Sequence, residues 1–553
     1  MKKITFVPPV LIIVLLISLA ISQQSCQKKG DDKVSEYLSV DLPTSLQMND
    51  LYYTVGYNSR YIELEFNQAL DTTTITGNLN FKDKYNTLDT SISLVALDRK
   101  LVLMFHPSFQ LQAGWKYSII IKKGLKSVSG LAFSSNKEID IRTPSFSLFE
   151  ENDSVQRNAI LCISDIHMGE SKAVAEHYCW FWKNADALCD LLDHVVTGKT
   201  VREVVILGDL FDEWVIPHRY LPFDTDNGVS NSREYFISVA NSPYNLSVIN
   251  KLRTIAQSGT ISLNYIPGNH DMLLTQSVLE EIIPGIKWKG TIDGMGEYSP
   301  IEEIIMEHGH RFDLFNCPQP LVSSGHMLPP GYFVSRLRAE TLRVQKVGLL
   351  KEDMEGKQSL AFSVAWRLAL DYLEVNPMLI VHEDSLNIPV NGVDGWNKTF
   401  SFNSARDMYS NNIETKWDST QSRNMVPAHI PVLMGILDGN SDLFTAVAYE
   451  YLSAQSPKRY KMAVFGHTHK PELKVYPPGK NYSAIYANTG SWVNAELESG
   501  KVRTFLMIWP GKWTNSDLDI VSLYQYNLES GNGLPDPGYS PVLLDEESIL
   551  IGN

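Results

Sequence analysis

The chain is poor in cysteine, with five residues in 553, at positions 26, 162, 179, 189 and 317. So few, so scattered, give no disulfide framework of the kind that staples small secreted domains, and no thiolate cluster with metal-ligand spacing. Cys179 and Cys189 fall on one predicted helix, where ten residues separate them by about 15 Å. That is beyond the roughly 7 Å between α-carbons that a disulfide can bridge. Cys162 stands in an apolar run and reads as a small core residue. Positive charge is short as well: a formal net charge of −15 argues against a broad grip on nucleic acid or an anionic bilayer. No short-period repeat is present, which excludes a solenoid. With 44% hydrophobic and 20% charged residues, the composition is that of a globular protein, long enough for about three structural units.

An apolar run without charge, Val10 to Ile21, opens the chain behind Lys2 and Lys3. It is shorter than the roughly 20 residues that span a bilayer and reads as the apolar core of an export signal. Ser25 and Cys26 follow, then a polar stretch from Gln27 to Glu36. The arrangement resembles a bacterial lipoprotein signal, in which the cysteine becomes the lipidated first residue of the mature chain. The expectation is a signal peptide over 1–25, a polar tether over 26–39, a membrane anchor on Cys26 and a place in the cell envelope, facing periplasm or outside.

From about 40 to 145 short runs alternate polar and apolar residues, as half-buried strands do. Tyr61 to Phe66, Leu101 to Phe105 and Tyr117 to Ile121 are three of them, separated by turns at Gly114, Gly124 and Gly130. No amphipathic helix interrupts them, so the region is expected to be an all-β sandwich. Ile62 to Ala69, Leu111 to Tyr117 and Gly124 to Leu131 resemble the bacterial Ig-like domains of surface proteins. That resemblance implies a spacer or adhesive role without catalytic residues.

After residue 158 the pattern changes to α/β: fully apolar strands alternate with helices, the mark of sheets covered on both faces. Asn158 to Ile163, Val204 to Leu207, Ile261 to Ile266, Ile304 to Met306 and Met462 to Phe465 are the strands, and Ala173 to Val196 reads as one long helix. Between 318 and 431 no strand-and-motif unit is evident. There Ala339 to Val375 is helical in pattern and Pro377 to Gln421 irregular, so the stretch reads as a largely helical insertion or cap. It divides the α/β domain into 158–317 and 432–525 and leaves 526–553 as a C-terminal tail.

Each apolar strand runs into oxygen and nitrogen ligands. The clusters are Asp165-Ile166-His167, Gly208-Asp209, Gly268-Asn269-His270-Asp271, His308-Gly309-His310 and Gly466-His467-Thr468-His469. In an open α/β sheet the carboxyl ends of the strands meet at one crevice, so groups distant in sequence converge there. One such cluster is weak, since a lone Asp-x-His is common, but five in this order are not an accident of composition. Together they resemble the full motif series of calcineurin-like metallophosphoesterases. The resemblance covers about 158–510 apart from the insertion and implies two sheets flanked by helices around a dinuclear metal centre. Carried over, Asp165, His167 and His469 would hold one ion, Asn269, His308 and His467 the second, and Asp209 would bridge them. His270 would stabilise the transition state and protonate the leaving oxygen, with Asp271 orienting its ring. Asp212 and His310 are expected to support the ligands from behind. The donor types suit two divalent ions such as Mn, Fe or Zn.

Gly208 to Trp214 and His308 to Asp313 look like the branch that contains UDP-2,3-diacylglucosamine pyrophosphatases. Export argues for a different substrate, an extracytoplasmic phosphorylated small molecule such as a nucleotide, a lipid head group or a glycan, and the net charge argues against a nucleic-acid surface. Arg311, Arg336 and Arg338 are candidates to hold a second phosphate bidentately, against the alternative that they are simply solvated. The competing function is a catalytically silent surface binding or adhesion lipoprotein. A degenerate site would have lost a ligand, and here every ligand position and His270 are present.

Overall fold

The computed structural model describes residues 48–550, apart from 54–60, 84–86, 110, 152–155, 346–386, 439–442, 454–455, 457–459, 477–483, 495–500 and 529–538. The expected export signal and Cys26 lie outside the described residues. Among the described residues no helix is long and apolar enough to cross a membrane, and Cys162, Cys179, Cys189 and Cys317 are all free thiols.

Period-two alternation makes the N-terminal region a pair of antiparallel sheets. Met48–Tyr53, Tyr61–Phe66, Lys100–Phe105 and Ile92–Leu97 form one; Leu79–Asp83, Lys116–Ile121 and Lys137–Arg142 form the other. Alternate residues Ile62, Leu64 and Phe66 meet Leu101, Leu103, Phe81, Ile119 and Ile121 in a core of their own.

The α/β region stacks two further sheets. In the seven-stranded sheet Lys287–Trp288, Ser262–Ile266, Val201–Leu207 and Ala159–Ile163 run parallel, and Thr504–Trp509, Leu518–Leu528 and Tyr539–Leu550 continue it antiparallel. The five-stranded sheet carries Ile304–Glu307, Met462–Phe465 and Ala484–Asn488 in parallel at its centre, with Glu297–Tyr298 and Glu472–Tyr476 antiparallel at its edges. These strands lack polar alternation because both faces are covered. Ile160, Cys162, Val205 and Leu207 point between the sheets toward Met306, Val464 and Leu506. Leu161, Ile163, Val204 and Ile206 point the other way, under the helices Ala185–Thr197 and Leu246–Gln257.

Within 526–553, expected to be a tail, the described residues are strand. Tyr539–Leu550 pairs along the whole of Leu518–Leu528 and forms the edge strand of the large sheet. Asp545-Glu546-Glu547 hid it, because three acids in a row break the apolar pattern. Glu546 accepts from the Ser145 backbone N–H at 3.1 Å, the Ser145 hydroxyl at 2.6 Å and the Ser522 hydroxyl at 2.6 Å. Val542 packs against the core of the N-terminal sandwich, so this strand joins the two parts of the molecule.

The expected long helix over 173–196 is two helices, Ser171–Ala175 and Ala185–Thr197. His177 takes a left-handed φ of 64° and turns the chain out, so Cys179 and Cys189 do not share a helix. In the insertion, a helix starts earlier than expected, at Pro330, and is described to Gln345; the rest of 339–375 lies outside the described residues. The stretch expected to be irregular holds a short hairpin, Asn387–Pro389 with Thr399–Ser401, then the helices Phe402–Ser410 and Ile413–Arg423. Ser401 caps the first by accepting the Ser404 N–H at 3.1 Å, and Asn412 at φ 57° separates the two. Tyr332, Phe333, Leu337, Phe400, Tyr409 and Trp417 all join the main core.

Replacing Glu546 by Ala removes the acceptor for three hydrogen bonds that hold the edge strand and the sandwich together. Urea unfolding is expected to show a loss of about 2 kcal/mol, the order of hydrogen bonds to a charged group. A loss below about 0.5 kcal/mol would mean that the strand is held by its ladder alone.

Candidate metal centre

The five motif clusters lie at the carboxyl ends of their strands and meet between the two sheets. Asp165, His167, Asp209, His467 and His469 all have left-handed backbone, with φ between 52° and 69°. These five are among only thirteen described non-glycine residues in that region. Each costs of order 1–3 kcal/mol and persists because its surroundings over-determine it. Glycines permit the crowding. A Cβ on Gly466 would lie 2.5 Å from Ser164 Oγ and 2.7 Å from Asp165 Oδ2, and one on Gly208 would lie 2.5 Å from His308 Nδ1.

Two groups of donor atoms result. In the first, His167 Nε2 and His469 Nε2 are 3.1 Å apart, and Asp165 Oδ1 is 3.3 Å from the latter. In the second, Asn269 Oδ1 is 3.0 Å from both His308 Nε2 and His467 Nδ1. Asp209 Oδ2 lies 3.6 Å from His167 Nε2 and 3.4 Å from His308 Nε2, so it faces both groups. Asp165, His167 and His469 offer atoms close enough to share one ion, and so do Asp165, Asp209 and His308. The residues fit a metal: Asp165 Oδ1 is fully buried without a hydrogen-bond partner, as a ligand atom would be, and the oxygen and imidazole donors suit borderline divalent ions.

The far side of three of the four ligand imidazoles is fixed, which settles the nitrogen each presents. His308 Nδ1 donates to the Leu207 carbonyl at 2.6 Å, and His167 Nδ1 to Asp212 Oδ2 at 3.1 Å. His467 Nε2 donates to Asp313 Oδ2 at 3.2 Å. Asp165 Oδ2 accepts the Ser164 hydroxyl and the His467 backbone N–H, and the Ser164 hydroxyl also meets that of Thr489 at 2.5 Å. Asp313 ends a string noted in the sequence, but nothing local marked it or Thr489 as a support, since each acts on a side chain more than a hundred residues away.

The ring of His270 is oriented by Asp212, whose Oδ1 accepts from Nδ1 at 2.9 Å. Asp271, expected in that role, turns away and accepts the backbone N–H groups of Gly268, Leu210 and Phe211 at 2.8–3.2 Å. It shapes the loop and not the imidazole. Trp214 stacks on His270 at 4.6 Å, and the rings of His167 and His270 meet nearly perpendicular at 4.6 Å. Burial opposes charge on His270, but Asp212 and Asp209 outweigh it and raise its pKa above the ordinary value. Burial likewise opposes charge on His308, yet Asp209 and Asp165 push it up to about 9. Asp209 is held well below the carboxylate range by His308, His270 and His167, despite its burial.

His310 is buried behind His308 and His467, their rings 5.3 and 6.3 Å away, with no hydrogen-bond partner on either nitrogen. Two of the three arginines considered for a phosphate are committed elsewhere. Arg311 is buried against Glu307 and Glu450, at 2.7 Å each, and donates to the Tyr451 hydroxyl at 2.8 Å. Arg336, fully buried, donates to the carbonyls of Ile216, Pro217, Tyr220 and Pro389 and to the Tyr332 hydroxyl. Neither is solvated and neither can reach a ligand; Arg338 is exposed.

Residues 159–345 match the family model for the calcineurin-like phosphoesterase. No curated protein matches the chain. Solved structures give slight likenesses. A purple acid phosphatase from yellow lupin (Lupinus luteus) is 10% identical over 92% of this chain and 74% of its own, with a TM-score of 0.28. The Pseudomonas putida nuclease MPE is 17% identical over 27% of this chain and 53% of its own, TM-score 0.16. The Escherichia coli α2-macroglobulin is 17% identical over 29% of this chain, TM-score 0.16. The chain spans 8% of the macroglobulin's length, and less than two thirds of the nuclease's.

Behind the site Glu213 is buried with both carboxylate oxygens unpartnered. Burial, then the charges of Asp394, Asp271 and Asp212, raise it from 4.5 to about 8. Between those values the folded chain holds a proton that the unfolded chain has lost. Glu213 therefore weakens the fold as pH rises from 4.5 to 8, by a few kcal/mol in all. Glu213→Gln is expected to match the parent near pH 4.5 and exceed it in stability at pH 8, read by urea midpoints. Equal pH slopes for the two would remove Glu213 from this role.

Proposed function

We propose, from the premise that residues 159–345 are a calcineurin-like phosphoesterase domain and the chain a metal-dependent phosphoric ester hydrolase, that it is an exported enzyme working with two divalent ions, Mn, Fe, Zn or related, on a phosphate ester or pyrophosphate bond. The observation that carries the two-ion reading is Asp209 Oδ2, which faces both donor groups at once. Asp165, His167 and His469 would hold one ion, and Asn269, His308 and His467 the other, with Asp209 between them. What such a pair supplies when bound is acidification of water and charge to offset that of the phosphoryl oxygens.

The remaining chemistry belongs to the chain. His270 Nδ1 is fixed on Asp212, which leaves Nε2 as the nitrogen that carries a proton to the leaving oxygen. The carboxylates of Asp212 and Asp209 favour the protonated ring over the burial that opposes it. Trp214 and His167 pack against the ring and limit its orientation. The fully buried positions of Asp165, Asp209 and Asp271 exclude bulk water from the ligand side.

The N-terminal pattern supports export and lipidation at Cys26, with the sandwich, an Ig-like module in this reading, holding the enzyme off the membrane. The substrate is then an extracytoplasmic phosphorylated small molecule, lipid head group or glycan.

Asp209→Asn is expected to lose bound metal and hydrolysis of bis-p-nitrophenyl phosphate together. His270→Ala should retain metal by elemental analysis while turnover falls by about 100-fold or more, the usual scale for a general acid. Turnover by His270→Ala equal to the parent's would refute the acid role. For the anchor, full-length protein should incorporate radiolabelled palmitate in a bacterial host, and Cys26→Ser should not. Labelling that survives the substitution would rule Cys26 out.

A further inference from the structure

We propose that Trp180 and Arg338 form a subsite for a second anionic group on the leaving-group side of the metal centre, so that the preferred substrate is an ester whose leaving portion carries its own negative charge. The inference rests on the phosphoesterase reading above.

The turn that breaks the expected long helix delivers Trp180 to the site. The Tyr178 and Cys179 N–H groups return to the Ala173 carbonyl at 2.9 and 3.0 Å. Asn184 Nδ2 donates to the carbonyls of Trp492 and Val493 at 2.8 and 2.7 Å, and the Asn494 N–H donates to the Trp180 carbonyl at 2.5 Å. Held there, the indole lies 5.1 Å from the ring of His167, 6.0 Å from His270 and 6.3 Å from His469. Its Nε1–H has no hydrogen-bond partner although the residue is only 6% exposed. Trp214 and Trp492 also have an unpartnered Nε1–H; what sets Trp180 apart is its place beside three of the site's histidines. Because an indole N–H can only donate, a ligand group that meets it there is an acceptor.

Arg338 adds charge at the same place. Its guanidinium carbon lies 4.7 Å from the centre of the Trp180 ring. A guanidinium stacked on an aromatic face keeps its N–H fork in its own plane, the geometry that takes phosphate or carboxylate bidentately. The helix that carries it is fixed, since Arg336 is tied to four carbonyls and Ala339 and Leu342 share an apolar cluster with Trp180 and Val215.

The position identifies the part of the substrate. His270 protonates the leaving oxygen, and Trp180 flanks His270, so the pair addresses the leaving portion. The separations laid end to end put the guanidinium within about 11 Å of the His270 ring. Hydrogen bonds of about 3 Å at each end leave at most about 5 Å, so the second anion sits on the leaving oxygen's own atom or a short linker from it. In the reaction the oxygen of water bonds to phosphorus and the bond from phosphorus to the leaving oxygen breaks. The electron pair stays on that oxygen, which takes the proton from His270, and the departing fragment keeps the anion held at Arg338.

Calorimetry on the Mn-loaded protein tests this without turnover, with three probes: methylphosphonate, methylenediphosphonate and phosphonoacetate. In the parent at least one of the two probes with a second anion should bind about tenfold or more tightly than methylphosphonate, the scale of one charge-assisted contact. Which one does so names the second group as phosphoryl or carboxyl. Arg338→Ala should reduce that ratio to near one, and Trp180→Phe, which keeps a ring and removes Nε1–H, should reduce it in part. A ratio near one in the parent, or one that persists in Arg338→Ala, overturns the subsite. Failure of the phosphoesterase reading would show separately, as absence of metal-dependent hydrolysis of bis-p-nitrophenyl phosphate by the parent.

Discussion

The left-handed turn at the end of a buried strand is the constraint on which the rest of the structure depends. A strand delivers side chains alternately to its two faces, and neither face is where two sheets present a common cavity. Turning the backbone at Asp165, His167, Asp209, His467 and His469 swings those side chains off the faces and over the strand ends. No residue in that conformation is held by its own preference. The force that holds it comes from apolar strands packed on both sides, and from glycines at 208 and 466 that let neighbouring loops touch.

Supports then divide by task. Leu207, Asp212 and Asp313 act on ring nitrogens that face away from the cavity, and each settles which nitrogen faces in. Asp212 is shared: one oxygen holds His167 and the other His270. The group that would bind metal and the group that would move the proton are thus indexed to one carboxylate, and a shift in either is felt by the other. Asp271, next to His270 in sequence, serves the loop instead.

Much of this was legible because the motifs are local. Each cluster occupies two to four consecutive residues behind an apolar run, and strand ends in an α/β sheet converge whatever lies between them. Long-range pairings were not legible. Sequence proximity suggested Asp271 as the orienting group for His270, and only the fold shows that Asp212 faces the ring. Three acids concealed the edge strand Tyr539–Leu550 because they look like solvent-facing tail until Ser145 and Ser522 are seen to meet Glu546. The polar helices 402–410 and 413–423 bury one narrow stripe each, too little to show a clear period. Arginine carries no sign of its partners, so Arg336 and Arg338, two residues apart, looked alike, although one is sealed in the core and the other stands at the surface.

That last pair bears on how the enzyme works over time. Every N–H of Arg336 has an acceptor, and most of those acceptors are carbonyls with no counter-charge to leave behind. Lifting the helix Pro330–Gln345 would withdraw Arg336 and leave the carbonyls of Ile216, Pro217, Tyr220 and Pro389 without their donor, at a cost of about 1–3 kcal/mol for each that stays buried. The helix is therefore a rivet and not a hinge. In many enzymes the motion of a lid sets the rate; a helix held in this way keeps one position, and the side chains it carries keep one arrangement.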